Sequence, residues 1–415
     1  MKPFFEVQTL EAVWQRARDT RPLASETVDL AAAADRTLAH DFAAPHDLPG
    51  FVRSTMDGFA VRARDTFGAT ESQAGYLKLQ GEVIMGRVPD FSLDAGSCAR
   101  IGTGGMLPDG ADAVIMVEHT REASRDTIEV SRSVAPGSHV IGAADDAEAG
   151  QVLLAAGQRL RPQDVGLLAA LGVEEPQVFR KPRAGIISTG DEVVPVDTEP
   201  GPGEVRDVNA TVLGAQVRSA GGQPMTMGLV PDDEDRLRQT VAKSLEENDL
   251  TLLSGGSSMG VRDLTAEIFL SFPGAELLVH GVSVAPGKPF IWVRVGHHHL
   301  LGLPGQVTSC LVTFHLFVEP LLERLLGREG TAFTRFGRLD ATLTRNIASA
   351  AGRELFQRVR VEQTGAGWQA EPVHGRSGLL RSLVQGHGLV RVPLGSEGLD
   401  EGSKIEVLLF PGESP

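Results

Sequence analysis

The stretch from residue 184 to residue 306 constrains this chain more than any other. Three short apolar runs there each end in a glycine-bearing loop: GIISTGDE at 185–192, LTLLSGGSSMG at 250–260 and LLGLPGQ at 300–306. A parallel strand buried on both faces is a nearly continuous apolar run of this kind. Ligands of open α/β sheets bind beyond the carboxyl ends of such strands. Glycine lets the backbone approach a phosphate, and free N–H groups at the start of the next helix hold the anion. Three such loops in one stretch predict a single crevice for a phosphorylated small molecule.

The remainder of the chain bounds that reading. Its 415 residues exceed one ordinary domain, so three or four are expected. A hydrophobic fraction of 41% supplies real cores. No apolar run reaches the ~18 residues of a membrane span. The MKPFFE start has no apolar h-region with a cleavage site, so no secretory signal is expected. Cys98 and Cys310 are the only cysteines, which disfavours a disulfide framework and fits a reducing cytoplasm. A net charge of −15 argues against a nucleic-acid partner, which needs a basic face. A small anionic ligand needs only a local positive pocket.

Periodicity divides the chain further. Residues 6–20 carry apolar Val7, Leu10, Val13, Trp14 and Ala17 at helical spacing. From 45 to about 137 the sequence is turn-rich, with short strands predicted at 76–79, 113–117 and 127–130. A strand at 152–154 precedes a helix that starts near Pro162 and stops at Gly172. The α/β part predicts strands at 184–188, 225–230 and 250–254, and helices at 210–220, 234–247 and near 264–272. A hairpin of 279–284 and 290–295 leads to a strand at 300–303 and a long helix over 308–326. Residues 333–411 alternate in short strands and read as a small β-barrel or sandwich.

Acidic and hydroxyl side chains gather at the predicted strand ends. Asp191 and Glu192 follow Gly190; Asp207 and Asn209 end the GEVRDVN segment; Asp232 and Asp233 follow a strand; Asp263 closes the glycine-serine loop. Carboxylates facing a phosphate repel it unless a hard cation lies between, and Mg²⁺ held by one or two carboxylates plus phosphate is the usual arrangement. Glu192 and Asp263 are the expected metal-side pair, whereas Asp232 reads as a helix N-cap. Ser254, Ser257 and Ser258 are phosphate donors rather than nucleophiles, because no Gly-x-Ser-x-Gly elbow is present. Lys288, in Pro-Gly-Lys-Pro, lacks Walker spacing; it reads as an anion-binding point charge or as a solvated hairpin lysine. The run His297, His298, His299 reads as a polar hairpin turn, since adjacent strand side chains point to opposite faces and chelate poorly.

These loops resemble the molybdopterin molybdenumtransferase family, MoeA and the gephyrin E domain. The likeness covers nearly the whole chain in order: PGFVRSTMDGFA at 49–60, TGGMLPDGADAV at 103–114, STGDE at 188–192, GEVRDVN at 203–209, SGGSSMGVRD at 254–263 and PGKP at 286–289. It implies a Rossmann-like parallel-sheet domain of molybdopterin-binding type, a β-rich inserted domain and a small C-terminal β-barrel. The implied division is an elongated linker and dimerisation unit (1–44 with 138–180), the inserted domain (45–137), the α/β domain (181–327) and the barrel (331–415). It implies transfer of molybdenum from molybdate to adenylylated molybdopterin with release of AMP, aided by Mg²⁺, in a homodimer whose site uses both subunits. A non-catalytic pterin carrier, chaperone or regulator is the alternative. Molybdopterin adenylyltransferase and apo-molybdoenzymes are the implied partners.

By the same resemblance Asp57, Thr103, Glu192, Asp233 and Asp263 take catalytic positions. Asp146, Ser188, Thr189, Gly190, Gly255, Gly256, Ser257, Arg262, Lys288, Pro304 and Ser377 take substrate-binding ones. The chain departs from the family at Ala285 and Gly281, where basic residues are usual, at Gln306 and Val307, and over 141–146. Arg53, Arg206 and Arg262 add positive charge inside the matched motifs.

Overall fold

The computed structural model describes residues 7–413 except 256–258, 374 and 376–377, and within 259–263 the backbone alone. The α/β segment forms a six-stranded sheet in the order Gln223–Val230, Arg183–Thr189, Leu250–Ser254, His298–Leu303, Ile291–Val295, Ala275–His280. The first four strands are mutually parallel, and each of the last two pairs antiparallel with the strand before it, so that Ile291–Val295 alone runs against the rest. The chain leaves Arg183–Thr189 toward one side of the sheet and Leu250–Ser254 toward the other. Their carboxyl ends therefore flank a topological switch point, where a crevice opens.

Both faces of the sheet are covered, which is why its strands read as apolar runs. Helices Glu234–Glu247 and Met259–Leu270 pack on one face around Leu237, Val241, Ile268 and Phe269. Helix Asn209–Ser219 and the helical segment from Val307 cover the other. The N-terminal helix Leu10–Arg18 joins that second core through Leu10, Val13 and Ala17, as do Phe356, Leu389 and Leu408 of the C-terminal region.

The C-terminal strands Gly337–Leu343, Glu354–Thr364, Gly367–Pro372, Gly388–Val392 and Lys404–Leu409 close on themselves as a five-stranded barrel. A separate six-stranded sheet spans residues 58–130, with cores around Phe59 and Ile115 and around Ile101 and Val114. Short antiparallel pairs, Ser25–Thr27 with Gln177–Phe179 and Phe42–Ala43 with Val152–Leu154, connect these bodies.

Three local expectations are corrected. The first hairpin arm is Ala275–His280 rather than 279–284, and Val284–Ala285 pairs instead with Glu354–Leu355 of the barrel. Val284 reads as strand in either sheet, so periodicity alone does not choose its partner. The long helix is interrupted: α-helical over Val307–Thr313, π-helical over Phe314–Val318, and α-helical again over Glu319–Leu325. Pro320 has no N–H for the carbonyl of Leu316, which instead accepts the indole N–H of Trp14 at 2.8 Å. Finally, the turn is confined to Gly296 and His297; His298 and His299 lie buried in a strand. His298 bonds Thr251 and the Asn248 carbonyl, and His299 accepts from the Trp292 indole. Burial lowers their pKa values to about 4 and about 3.

Candidate active site

The switch-point crevice has a volume of about 670 Å³. Ser188 and Ser254 are direct neighbours in the parallel register, and their hydroxyls lie 3.4 Å apart, both buried. Thr189 donates to the Asp232 carboxylate at 2.6 Å, and the Asp232 N–H donates to Asp191 at 3.1 Å, which ties the first and second strand-end loops together. Gly255 has φ +140°, and a Cβ there would sit 2.2 Å from the Thr189 carbonyl oxygen. Only glycine permits this approach. Gly190, at φ +144°, lets the Glu192 carboxylate fold back toward the backbone.

Asp207 caps the helix Asn209–Ser219 by accepting the Ala210 N–H at 3.0 Å. The Asn209 amide donates to the Gly305 carbonyl at 2.8 Å, which fastens the third glycine loop, while its Oδ1 is buried without a hydrogen-bond partner. Glu192, Arg206, Asp207, Gln306 and Val307 line the same space, and Gly378 and Leu380 close it from the barrel side.

The structure thus gathers Ser188, Thr189, Glu192, Gly255 and Ser254 at one crevice, with Gly190 in its first loop and buried Pro304 beside its third. Other expected residues stand elsewhere. Asp233, not Asp232, is the N-cap of Glu234–Glu247; it accepts from Arg236 N at 2.9 Å, while Asp232 faces Thr189. With two adjacent aspartates, local propensity does not decide which one caps. Lys288 is exposed on its turn and does not line the crevice. Arg262 and Asp263 fall in the helix Met259–Leu270, but their side chains lie outside the described residues, as do Gly256, Ser257, Ser258 and Ser377. Among the described residues no group of three or more metal-binding side chains is assembled.

Asp57 and Thr103 do meet, on the β-rich body. Both the N–H and the hydroxyl of Thr103 donate to Asp57 Oδ1, at 2.7 and 2.8 Å, and the backbone bond first and then the hydroxyl hold the carboxyl below its usual pKa. Asp146 is exposed on a loop whose N–H bonds the Leu48 carbonyl. Among the described residues no hydrogen bond or ion pair joins Asp57, Thr103 or Asp146 to the crevice.

One cation was missed from sequence. Arg358 is only 7% exposed, and burial lowers its pKa. Its guanidinium donates to the Ser382 hydroxyl, to Thr308 Oγ1 at 3.4 Å and to the Gly375 carbonyl at 3.2 Å. No carboxylate among the described residues pairs with it, and Thr308 adjoins crevice-lining Val307. By contrast Arg206, at the rim, is paired with Glu199 at 2.6 Å. Arg53 lies on the β-rich body, opposite Ile141. The signal for Arg358 was strand parity: it shares a face with Phe356, which packs against the α/β core.

The sheet order, the crevice between diverging strands and the attached barrel define a multidomain α/β protein whose crevice opens at a topological switch point. Three family signatures match it: MoeA N-terminal region (domain I and II) at residues 8–172, probable molybdopterin binding domain at 185–324, and MoeA C-terminal region (domain IV) at 340–410. The molybdopterin molybdenumtransferase of Bacillus subtilis is 32% identical over 94% of this chain and 91% of its own length. That of Nostoc sp. is 33% identical over 93% and 89%. The molybdopterin biosynthesis MoeA protein from Pyrococcus horikosii superposes with a TM-score of 0.84 at 37% identity, covering 98% of this chain and 100% of that one. This chain belongs to the MoeA family of molybdenum cofactor biosynthesis. No helix among the described residues is long and apolar enough to cross a membrane.

Proposed function

We propose that the chain is a molybdopterin molybdenumtransferase that takes molybdenum from molybdate into adenylylated molybdopterin and releases AMP. The observation that carries this reading is a pair of unlike features, one lining the crevice and one behind its wall. Backbone and hydroxyl groups at Ser188, Ser254 and Gly255 suit phosphate oxygens. Behind the facing wall stands the Arg358 guanidinium with only neutral partners, a cation suited to a second anion. Loss of AMP requires cleavage of the phosphoanhydride, and the groups beside Gly255 are placed to hold the departing phosphate.

Glu192 is the described carboxylate that fits Mg²⁺, because it lines the crevice beside the phosphate-suited groups without spending its oxygens on a helix cap. Asp263 is its proposed companion. Bound Mg²⁺ would neutralise charge on the phosphates; the chain's own part is to orient those phosphates and shield them from the acidic rim.

The separation of the Asp57–Thr103 pair from the crevice within one chain supports a homodimer, in which one subunit's pair completes the other's site. Light scattering checks this, and a strictly monomeric mass at working concentration removes it. The function is tested with purified protein and adenylylated molybdopterin, measuring AMP with and without molybdate and Mg²⁺. Molybdate-dependent AMP release is expected. Tight binding without AMP release would identify a pterin carrier instead.

A further inference from the structure

A second cavity, of about 270 Å³, lies at the seam between the α/β domain and the barrel and shares no lining residue with the crevice. Its polar lining is Gln216, Ser219, His315 and Arg335, and Leu311, Leu383 and Phe410 line much of the rest.

The polar side chains belong to a buried charge cluster. Glu319 has no solvent exposure. Its Oε2 accepts from His315 Nδ1 at 2.6 Å and its Oε1 from Arg335 Nη1 at 3.3 Å. The tautomer follows from the far side of the ring. Gln216 Nε2 lies 3.3 Å from the Leu311 carbonyl, which can only accept, so the amide nitrogen is also what faces His315 Nε2 at 3.2 Å. Nε2 is therefore the acceptor of the ring, and Nδ1 carries its proton. The imidazole is neutral, and Arg335 and Glu319 cancel. The rings of Phe314, Phe336 and Phe410 surround the imidazole, and Glu323, further along the helix, is paired with Arg328. Arg335 and Glu319 are thus the charges that face His315 among the described residues.

Two polar groups of this cluster are unfinished. Gln216 Oε1 is buried with no hydrogen-bond partner, an uncompensated cost. Ser219 accepts from Arg335 Nη2, which leaves its hydroxyl hydrogen to donate.

An anion here meets Arg335 and the Ser219 hydroxyl, but Glu319 stands behind them and opposes it. A proton taken up on His315 Nε2 removes that opposition. Arg335 and His315 hold different oxygens of Glu319, so a second carboxylate can bridge the same two side chains from the cavity side. Arginine, glutamate, imidazolium and ligand then alternate in sign around a ring of charge-assisted bonds. A ligand oxygen in the place of the Gln216 amide at Nε2 also frees that amide to turn its orphan oxygen to water. Inorganic phosphate would leave the apolar lining unused; a carboxylate on a small apolar body uses both walls.

The geometry points to this cavity as a site for a small monocarboxylic acid with an apolar body, held as carboxylate between Arg335 and His315 with uptake of one proton. The site is independent of the ligand proposed for the crevice.

The test uses the full-length protein and benzoate, with benzamide as the uncharged comparator, by calorimetry at about pH 8, where an ordinary imidazole is unprotonated. A single benzoate per chain is expected, at least about tenfold tighter than benzamide. Heats in two buffers of different ionisation enthalpy should show close to one proton taken up, and His315→Gln should abolish that uptake. Ala215→Trp, at an exposed helix position on the rim, fills the cavity without touching the charges. It should weaken benzoate more than tenfold while the melting temperature stays at the parent value. Equal benzoate affinity in parent and Ala215→Trp places the binding elsewhere and overturns the site. Benzamide matching benzoate, or proton uptake that is absent from the parent or persists in His315→Gln, overturns the charge ring. A parent that does not bind benzoate overturns the proposal and leaves the proposed function standing.

Discussion

Replacing Arg358 with methionine separates a ligand-binding cation from a structural one. The side chain keeps its bulk, and the charge and three donated bonds are lost. Ser382 retains a partner, since its hydroxyl donates to the Leu379 carbonyl at 2.6 Å. A buried guanidinium without a counter-ion is costly, so its removal is expected to leave the melting temperature unchanged or raise it. An anion held through Thr308 would lie one further hydrogen bond beyond the 3.4 Å contact, roughly 6.5 Å from the guanidinium nitrogen. At an effective dielectric of about 20 that is about 2.5 kcal/mol per unit charge and about 5 kcal/mol for a dianion. Ionic screening and relaxation remove about half, which leaves a factor of ten to about a hundred. The assay is the molybdate concentration giving half-maximal AMP release. Arg358→Met should raise it ten- to hundredfold, and Arg358→Lys should recover part of the loss, since lysine keeps the charge without the planar fork. If the molybdate dependence of Arg358→Met matches the parent while its melting temperature drops, the guanidinium is a structural tie and the oxyanion argument is wrong.

Gly255→Ala should force the first and third parallel strand-end loops apart, because φ +140° and the 2.2 Å approach to the Thr189 oxygen both exclude a Cβ; at least ~2 kcal/mol of stability and most AMP affinity should go, and a variant with parent-like melting and calorimetry would refute this. Glu192→Gln should raise the Mg²⁺ requirement about tenfold or more while AMP binding without metal stays similar; an unshifted Mg²⁺ titration removes Glu192 from the metal. His298, with its pKa lowered by burial to about 4, is neutral when folded, whereas the unfolded chain takes up a proton near 6.5. Its contribution is therefore complete above pH 6.5 and lost as pH falls toward 4. Melting temperatures followed over that window should fall less steeply in His298→Gln, and equal slopes would count against the assignment.

Much of the fold was legible because it is local. Apolar runs at 184–188 and 250–254, the glycine stop at Gly172 and the acid-capped helix at 234–247 each carry their signal within a few residues. The ordered motifs made the family visible for the same reason, and the family signatures over 8–172, 185–324 and 340–410 bear it out. Where the reading went astray, the deciding partner was distant in sequence. Val284–Ala285 found its neighbour near residue 354, and His298 and His299 became core through Thr251, Asn248 and Trp292.

The sequence by itself determined that glycine loops close buried parallel strands, since a strand covered on both faces must be apolar and a loop that approaches a neighbouring backbone must lack a Cβ. Only the tertiary structure decided which charges meet. It placed Asp232 on Thr189 and gave the cap to Asp233. It left Lys288 outside the crevice and set Arg358 behind its wall through a contact with Thr308, fifty residues earlier in the chain. Electrostatic attraction depends on distance and burial, and neither is encoded in spacing along the chain.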